Sequence, residues 1–313
     1  MKVLDLFCGA GGFSLGFRDA GFSVVGADIN QHSAKIYSTN NIGEFIEIDL
    51  SRDSVDGMFE VVIGGPPCRP WSSINLQRRG SHHPDYNLIE RFFDHIFRLR
   101  PRAFLMENVP PLMSDKVFGE LKGKAIKKGY SVESQSLKYL DFGVATKRRR
   151  LFTVGFREFG MDARDFFACL EQVKEAPITV GKAIKKYEGY AEGDIPDHEW
   201  SHLNTIHKYR DYYESGKFGW SKLEYEGYAP SFGNLMKTYI LHPKAGEGDF
   251  PLRVLSVRET LAIMGFPEDY RFPPEMGLGM RYQMVANAVS PVAAQKMARV
   301  VLKILESQNY PRN

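Results

Sequence analysis

The 313-residue sequence has few cysteines, no long apolar segment and almost no excess of either charge. Its scattered cysteines, Cys8, Cys68 and Cys169, exclude a disulfide framework and a C-x-x-C metal site, and they favour a reduced compartment. No apolar run approaches the roughly 18–20 residues of a membrane span, and the N-terminal MKVLDLFCG predicts a strand and a glycine turn rather than a signal peptide. The net charge is +3, so any affinity for nucleic acid must come from local patches. We therefore expect a cytoplasmic protein with no membrane segment.

The first half of the sequence alternates short apolar runs with helical patterns, which is typical of an α/β fold with a mainly parallel sheet. The predicted strands are Val3–Phe7, Ser23–Ala27, Phe45–Ile48, Val61–Ile63, Ala103–Met106, Ser131–Leu137 and Leu151–Phe156. The predicted helices between them are Phe13–Asp19, His32–Thr39, Leu88–Phe97 and Val117–Lys127.

The pattern changes after about residue 160. Residues 180–252 contain 13 aromatic residues, 9 Lys or Arg and 11 Asp or Glu, without sustained periodicity. Regular patterning resumes at Ser256–Met264 and at Val292–Leu305, where an amphipathic helix is predicted. We expect a catalytic and cofactor-binding part at 1–175, a small irregular lobe at 180–252, and a segment at 253–313 that completes the catalytic domain.

A glycine turn, DLFCGAGG at residues 5–12, stands between the first strand and the first helix. Such a turn lets the backbone approach a ligand closely, although Ser14 breaks the dinucleotide pattern. Asp28 and Asp49 follow the next two strands and are suited to hydrogen bonds with an adenosine group. A short turn with two acids suits a nucleoside without a pyrophosphate, which favours S-adenosylmethionine over NAD. The alternative is a turn whose acid only caps a helix.

The stretch GGPPCRPWSSIN, residues 64–75, follows the fourth strand and contains Cys68. Pro66 and Pro67 restrict the backbone before the thiol, and Arg69 favours the nucleophilic thiolate. The alternative is an inert packed cysteine. The rigid and polar surroundings favour a nucleophile.

Glu107 ends the fifth strand at the same sheet edge, where a partly desolvated carboxyl can stay protonated and donate to a ring nitrogen. Arg148 and Arg150 alternate with Arg149 before a further strand and share one face in an extended chain. The alternatives are that Glu107 only caps a helix and that the arginines form a solvated run of charge.

Residues 69–102 hold 7 Arg against 3 Asp or Glu, as a DNA-binding loop requires. The adjacent histidines at 82 and 83 do not by themselves indicate a metal site.

These segments resemble the cytosine-5 DNA methyltransferases of prokaryotic restriction-modification systems, and the resemblance covers nearly the whole chain. The matching motifs are DLFCGAGGFSLGF at 5–17, GADIN at 26–30, IDLS at 48–51, PPCRPWS at 66–72, ENV at 107–109, TKRRRLF at 146–152, RVLSVRETLAIMGFP at 253–267 and RYQMVANAVSP at 281–291. The departures from the usual motifs are Arg69, Trp71, Thr146, Met284 and Ala286.

The resemblance implies a Rossmann-like methyltransferase fold and transfer of a methyl group from S-adenosylmethionine to C5 of a flipped-out cytosine in double-stranded DNA, through a covalent bond between Cys68 and C6. The implied catalytic residues are Cys68, Glu107, Arg148 and Arg150. The implied cofactor-binding residues are Phe7, Gly9, Ala10, Gly11, Gly12, Asp28, Ile29, Asp49, Leu50, Pro67, Leu88, Asn287 and Ala288. The expected DNA-binding residues are Arg69, Ser72, Gln77, Arg78, Arg79, Lys237, Thr238 and Tyr239, and residues 180–252 are the expected target-recognition domain.

Double-stranded DNA is the expected partner of a monomeric enzyme, with a restriction endonuclease of the same target sequence as a further candidate. A cytosine-5 transfer-RNA methyltransferase is the nearest alternative, but its subfamily carries a Cys-Phe-Thr segment and no cysteine follows Cys169 here. A catalytically inert DNA-binding relative is disfavoured by Cys68 and Glu107. An NAD oxidoreductase would leave the arginine and C-terminal motifs unexplained.

Overall fold

A computed structural model describes residues 1–67, 86–157, 162–202, 206, 208, 210–216, 220–236 and 240–307. A seven-stranded sheet forms the centre of this part of the chain. Its strands are β1 (Lys2–Leu6), β2 (Ser23–Asp28), β3 (Glu44–Glu47), β4 (Val61–Gly64), β5 (Ala103–Asn108), β6 (Ser131–Lys138) and β7 (Arg149–Phe156). The order across the sheet is β3-β2-β1-β4-β5-β7-β6, and β7 runs antiparallel to β5 and β6 while β1 to β5 pair in parallel.

The helices cover both faces of the sheet. They are α1 (Gly12–Asp19), α2 (Gln31–Thr39), α3 (Leu88–Leu99), α4 (Lys116–Lys127), α5 (Ala163–Gln172), α6 (Val180–Ile184), α7 (Arg210–Ser215), α8 (Val257–Ile263), α9 (Leu278–Asn287) and α10 (Pro291–Ser307). Short 3₁₀ helices occupy Pro110–Ser114, Tyr139–Asp141 and Lys185–Tyr187. Central strands such as β4 are buried along their whole length, as expected when both faces of a parallel sheet are covered.

Two hydrophobic clusters lie on opposite faces of the sheet. One contains side chains of α3 and α4, including Phe92 and Phe118, together with Leu4 and Val62 of the sheet. The other contains side chains of α1, α5 and α8 to α10 together with alternate sheet residues such as Ile63. The alternation of neighbouring strand residues between the two clusters follows from the period of two along a strand.

The α/β class with a mainly parallel sheet is confirmed. The seven predicted strands and four predicted helices of residues 1–156 are present, with ends that differ by at most two residues. Helix α5 was not predicted, and it packs against α10.

Residues 180–252 contain little regular structure in their described part: α6, the 3₁₀ helix at Lys185–Tyr187, α7, β8 (Ser221–Lys222) and β9 (Ile240–Leu241). Several of their buried side chains, including Val180, Phe232 and Leu235, belong to the same hydrophobic cluster as one face of the sheet. The division at 175–180 and 252–253 stays a prediction. No helix of the described ranges is both long and apolar enough to span a membrane.

The strand order reverses beside β1. The chain passes from β1 to β2 and β3 on one side, whereas β4 and β5 lie on the other side. Leu6 at the end of β1 pairs with Gly64 at the end of β4, so the segments that leave these two strands are adjacent. In open α/β sheets this crevice at the carboxyl ends is where ligands bind.

Candidate active site

The turn that follows β1 has an unusual backbone. Phe7, Gly9 and Gly11 all have positive φ, at 60°, 49° and 70°. The N–H groups of Phe7 and Cys8 donate to the carbonyl of Ala27 at 2.9 and 3.3 Å, which joins the turn to β2. A left-handed conformation is strained for a residue as large as phenylalanine, and such strain is typical of segments held in place for a ligand.

Two glycines of this turn are required by close packing. A Cβ on Gly11 would lie 2.6 Å from the Ile42 side chain, and a Cβ on Gly12 would lie 2.2 Å from the carbonyl oxygen of Val289. A Cβ on Gly9 would meet nothing within 4 Å. The turn is therefore tightly packed at Gly11 and Gly12, whereas the space beside Gly9 is open.

Asp28, at the end of β2, is tied to the glycine turn. Its Oδ2 accepts a hydrogen bond from the Gly9 N–H at 3.0 Å, and its Oδ1 accepts one from the Asn30 N–H at 2.9 Å. Burial raises the pKa of Asp28, although these backbone hydrogen bonds oppose the rise. Next to it, the Ile29 side chain is 63% exposed, an uncovered apolar surface at the same sheet edge.

The segment after β3 completes this side of the crevice. Asp49 accepts hydrogen bonds from the N–H and hydroxyl of Ser51 at 3.0 and 2.6 Å, and these bonds lower the pKa of Asp49. Leu50 is buried, and its carbonyl accepts from Arg91 of α3 at 3.0 Å. Leu88, the first residue of α3, is half-buried.

The C-terminal part of the chain returns to the glycine turn. Val289 packs directly on Gly12, as described above, and the Tyr270 hydroxyl donates to the carbonyl of Ala10 at 2.9 Å. Asn287 is exposed at the end of α9, where its Oδ1 accepts from Gln283 at 3.0 Å, and the next residue, Ala288, is buried. The first and last parts of the described chain therefore form this region together.

Glu107, the fifth residue of β5, lies beside the segment that follows β4. A Cβ on Gly65 would be 3.4 Å from Glu107 Oε2. Asn108 is fully buried, and its Nδ2 donates to the carbonyl of Pro66 at 3.1 Å. The end of β5 thus holds the backbone immediately before Pro67 and Cys68.

The Glu107 carboxyl is paired with an arginine. Arg150 Nε lies 2.9 Å from Glu107 Oε1, and both side chains are nearly buried. Burial is the main influence on Glu107 and raises its pKa, whereas the guanidinium groups of Arg150 and Arg148 lower it in part. Arg148 is buried and Arg149 is exposed, so the alternation predicted for this motif brings two cations to Glu107.

Several predicted residues lie outside the described part of the chain. They are Cys68, Arg69, Ser72, Gln77, Arg78, Arg79, Lys237, Thr238 and Tyr239. The remaining predicted residues fall into two adjacent groups, one around the glycine turn and one around Glu107. No group of three or more His, Cys, Asp and Glu residues within the described ranges is arranged to hold a metal ion.

A buried series of hydrogen-bonded polar side chains beneath the turn was not predicted from the sequence. The Ser14 hydroxyl donates to Asp5 Oδ2 at 2.8 Å and lies 2.6 Å from the Tyr37 hydroxyl. All three residues are at most 1% exposed. A polar residue at position 14, inside an otherwise apolar helical face, was the available signal, but nothing local indicates Tyr37 as its partner.

The sequence profile of the family described as C-5 cytosine-specific DNA methylase matches residues 1–303. The chain belongs to this family. It is therefore a DNA cytosine methyltransferase, and the glycine turn and Glu107 lie in a methylase whose family motifs extend over nearly its full length.

Curated relatives of the methylase are type II methyltransferases by name. Type II methyltransferase M.MthTI from Methanothermobacter thermautotrophicus is 29% identical, over 98% of this chain and 98% of its own length. Type II methyltransferase M1.HphI from Haemophilus parahaemolyticus is 31% identical, over 97% of this chain and 87% of its own. Among solved structures, the Dnmt2 methyltransferase of S. pombe matches with a TM-score of 0.71 at 16% identity, covering 99% of this chain and 100% of that one, which supports the fold alone.

Proposed function

We propose that the methylase transfers a methyl group from S-adenosylmethionine to C5 of a flipped-out cytosine within a specific sequence of double-stranded DNA. The observation that carries this proposal is the position of Glu107. It is a buried carboxyl with a raised pKa, it is paired with Arg150, and it lies against the backbone that leads into Cys68. An acid, a cation and a thiol at one sheet edge are what addition to a cytosine ring requires.

The crevice at the ends of β1 and β2 fits S-adenosylmethionine. The open space beside Gly9, the Asp28 carboxylate and the exposed Ile29 side chain suit a nucleoside, since each Asp28 oxygen that accepts one backbone N–H keeps a further lone pair for a ribose hydroxyl. When bound there, the cofactor supplies a methyl group on a positively charged sulfur. The residues proposed to hold it are Phe7, Gly9, Ala10, Gly11, Gly12, Asp28, Ile29, Asp49, Leu50, Pro67, Leu88, Asn287 and Ala288.

Cys68 is the proposed nucleophile. C5 of cytosine is a poor nucleophile until a thiolate adds at C6 and the electrons of the C5–C6 double bond become available at C5. The sulfur forms a bond to C6 and C5 receives the methyl group. C5 then loses its proton to a water molecule, the C5–C6 double bond forms again, and the C6–S bond breaks to release the Cys68 thiolate. Asn108 contributes by fixing the Pro66 carbonyl two residues before the thiol.

Glu107 is the proposed proton donor to N3 of cytosine. Burial raises the pKa of the carboxyl, which favours its protonated form and suits it to donate a proton as negative charge develops on the ring. We assign Arg150 to the O2 carbonyl, since its guanidinium already lies at the Glu107 carboxyl. Arg148 is buried beside them and is proposed to support this pair.

A stacked cytosine cannot offer C5 and C6 to these groups, because the neighbouring bases cover both faces of its ring. The target must leave the helix, at a cost of a few kcal/mol. We propose that residues 180–252 read the surrounding sequence, and that Arg69, Ser72, Gln77, Arg78, Arg79, Lys237, Thr238 and Tyr239 contact the DNA. Because its relatives are named type II methyltransferases, we propose that the methylase acts in a restriction-modification system with an endonuclease of the same specificity. A cytoplasmic location and a monomeric state are part of this proposal.

Methyl transfer from labelled S-adenosylmethionine tests the proposal. The purified chain is incubated with a random-sequence DNA duplex pool and, separately, with transfer RNA, and 5-methylcytosine is mapped by bisulfite sequencing. We expect label in DNA only, at one sequence context. Cys68→Ser should remove it, and Cys169→Ser, which changes a half-buried cysteine of α5, should retain it. Label confined to RNA, or full activity of Cys68→Ser, would overturn the proposal.

A further inference from the structure

A single hydroxyl joins the arginine motif to a distant segment of the chain. Thr146 is fully buried, two residues before Arg148. Its Oγ1 accepts a hydrogen bond from the Arg148 N–H at 3.3 Å and lies 3.1 Å from the carbonyl oxygen of Ala229 and 3.2 Å from that of Pro230. Its one proton is shared between these two carbonyls, so the hydroxyl links the Arg148 backbone to residues 229–230.

The backbone reinforces this link. Thr146 and Ala229 form a parallel bridge, in which the Ala229 N–H donates to the Ala145 carbonyl at 2.9 Å and the Lys147 N–H donates to the Ala229 carbonyl at 2.7 Å. The bridge spans 83 residues of sequence. Two backbone hydrogen bonds of the parallel-sheet pattern therefore join residues 145–147 to Ala229.

The far end of the same segment is also anchored. Asn234 Nδ2 donates to the Gly279 carbonyl of α9 at 2.9 Å, and Asn234 Oδ1 accepts from the Met236 N–H at 2.9 Å. In the same segment, Phe232 and Leu235 are buried in the main hydrophobic cluster. Residues 229–236 thus form a segment that contacts both the arginine motif and α9, here called the linker segment, and it ends directly before the predicted DNA-contacting residues 237–239.

We propose that Thr146 is a positioning residue that makes the rate of methyl transfer depend on the linker segment, and so on the DNA sequence contacted beyond it. The proposal rests on the proposed function. A shift of the linker segment moves the carbonyls of Ala229 and Pro230, which changes the hydrogen bonds of the Thr146 hydroxyl and with them the position of the Arg148 backbone. Arg148 in turn acts on Glu107 through its charge. DNA that is bound at its correct sequence would therefore favour the position of the linker segment that holds Arg148 beside Glu107.

The test compares Thr146→Val, which replaces the hydroxyl with a methyl group, with Thr146→Ser, which keeps the hydroxyl. Thr153→Val is the matched control, because Thr153 is another fully buried threonine of the same region and its hydroxyl pairs within the sheet, with the Ser134 hydroxyl at 3.0 Å. Wild-type activity on DNA is established first. The single-turnover rate is then measured at saturating DNA and cofactor, on the mapped target and on a target with one changed base.

For Thr146→Val we expect a single-turnover rate on the mapped target at least tenfold below wild type. The preference for that target over the changed one should fall by a similar factor, while the dissociation constant for S-adenosylmethionine changes less than twofold. Thr146→Ser should restore both quantities to within threefold, and Thr153→Val should leave both unchanged. If Thr146→Val does not fold, Thr146→Ala removes the same hydroxyl and carries the same expectation.

A Thr146→Val protein with wild-type rate and preference would overturn the proposal. So would a variant with a lower melting temperature and weaker DNA binding but an unchanged single-turnover rate, because that result describes a purely structural residue. A wild-type protein that methylates no DNA would overturn the proposed function first, and the coupling with it.

Discussion

Replacing Asp5 with asparagine should change how the stability of the methylase depends on pH. The Asp5 carboxyl is 1% exposed and accepts a hydrogen bond from Ser14, whose hydroxyl contacts Tyr37. Burial raises the pKa of Asp5 from 3.8 to about 7, and the charge of Asp28 adds to the rise. The neighbouring Cys8 and Tyr37 have pKa values raised well above their ordinary values, so they stay neutral between pH 5 and pH 8.

Proton linkage determines in which direction the stability of the folded state changes with pH. The folded state holds a proton on Asp5 between pH 3.8 and about pH 7, where the unfolded chain has released it. Stability from this group is therefore complete below pH 3.8 and is lost as the pH rises through about 7. The full effect corresponds to roughly 4 kcal/mol, of which about 2.5 kcal/mol falls between pH 5 and pH 8.

Urea unfolding of wild type and Asp5→Asn from pH 5 to pH 8, followed by circular dichroism, measures this effect. The stability of Asp5→Asn relative to wild type should increase by about 2.5 kcal/mol across that range. Asp162→Asn is the control. Hydrogen bonds from Arg164 lower the pKa of Asp162 to about 2, so its contribution is already constant above pH 5. A relative stability of Asp5→Asn that does not change with pH would refute the reasoning.

Three further substitutions have expected outcomes. Asn108→Ala removes the hydrogen bond to the Pro66 carbonyl, so it should lower the single-turnover methylation rate at least tenfold while calorimetry finds a much smaller loss of cofactor affinity. Gly16→Ala places a methyl group 2.4 Å from a side chain of α10, so denaturant unfolding should find a loss of about 1–3 kcal/mol. Glu259→Gln leaves the buried Arg253 guanidinium, now paired at 2.8 Å, without a carboxylate, and should cost about 3–5 kcal/mol in the same assay.

Each of these expectations has a contradicting result. Equal losses of cofactor affinity and rate in Asn108→Ala would mean that the residue supports the whole sheet edge rather than the Pro66 backbone. An unchanged stability of Gly16→Ala would mean that α1 and α10 can separate freely. Glu268→Gln, which breaks only an exposed pair with Lys186, is the control for Glu259→Gln, and equal effects of the two would refute the argument from burial.

The sheet and its helices were predictable because their signals are local. Apolar runs such as Val61–Gly64 are bounded by turns, and their burial on both faces leaves little ambiguity. Strand ends were less predictable. Strand β5 continues through Glu107 and Asn108 because these residues pair with Phe152 and Leu151 of β7, a partner that lies more than 40 positions later in the sequence.

Helix α5 could have been predicted. Its buried residues Ala163, Phe166, Phe167 and Leu170 follow the spacing of an amphipathic helix, although no helix is predicted in this last stretch of the catalytic part at 1–175. The bridge between Thr146 and Ala229 had no local signal. Motif order indicated that both ends of the chain build one site, whereas the contacts between them, such as Tyr270 with Ala10, depend on packing that no single segment encodes.

The covalent step is the centre of the proposed function, and DNA containing 5-fluorocytosine tests it most directly. Fluorine cannot leave C5 as a proton does, so the bond between Cys68 and C6 should persist after methyl transfer. We expect a complex of protein and DNA duplex that survives denaturing electrophoresis, requires S-adenosylmethionine, and is absent for Cys68→Ser but present for Cys169→Ser. An adduct formed by Cys68→Ser, or one formed with RNA and with no DNA, would contradict the account.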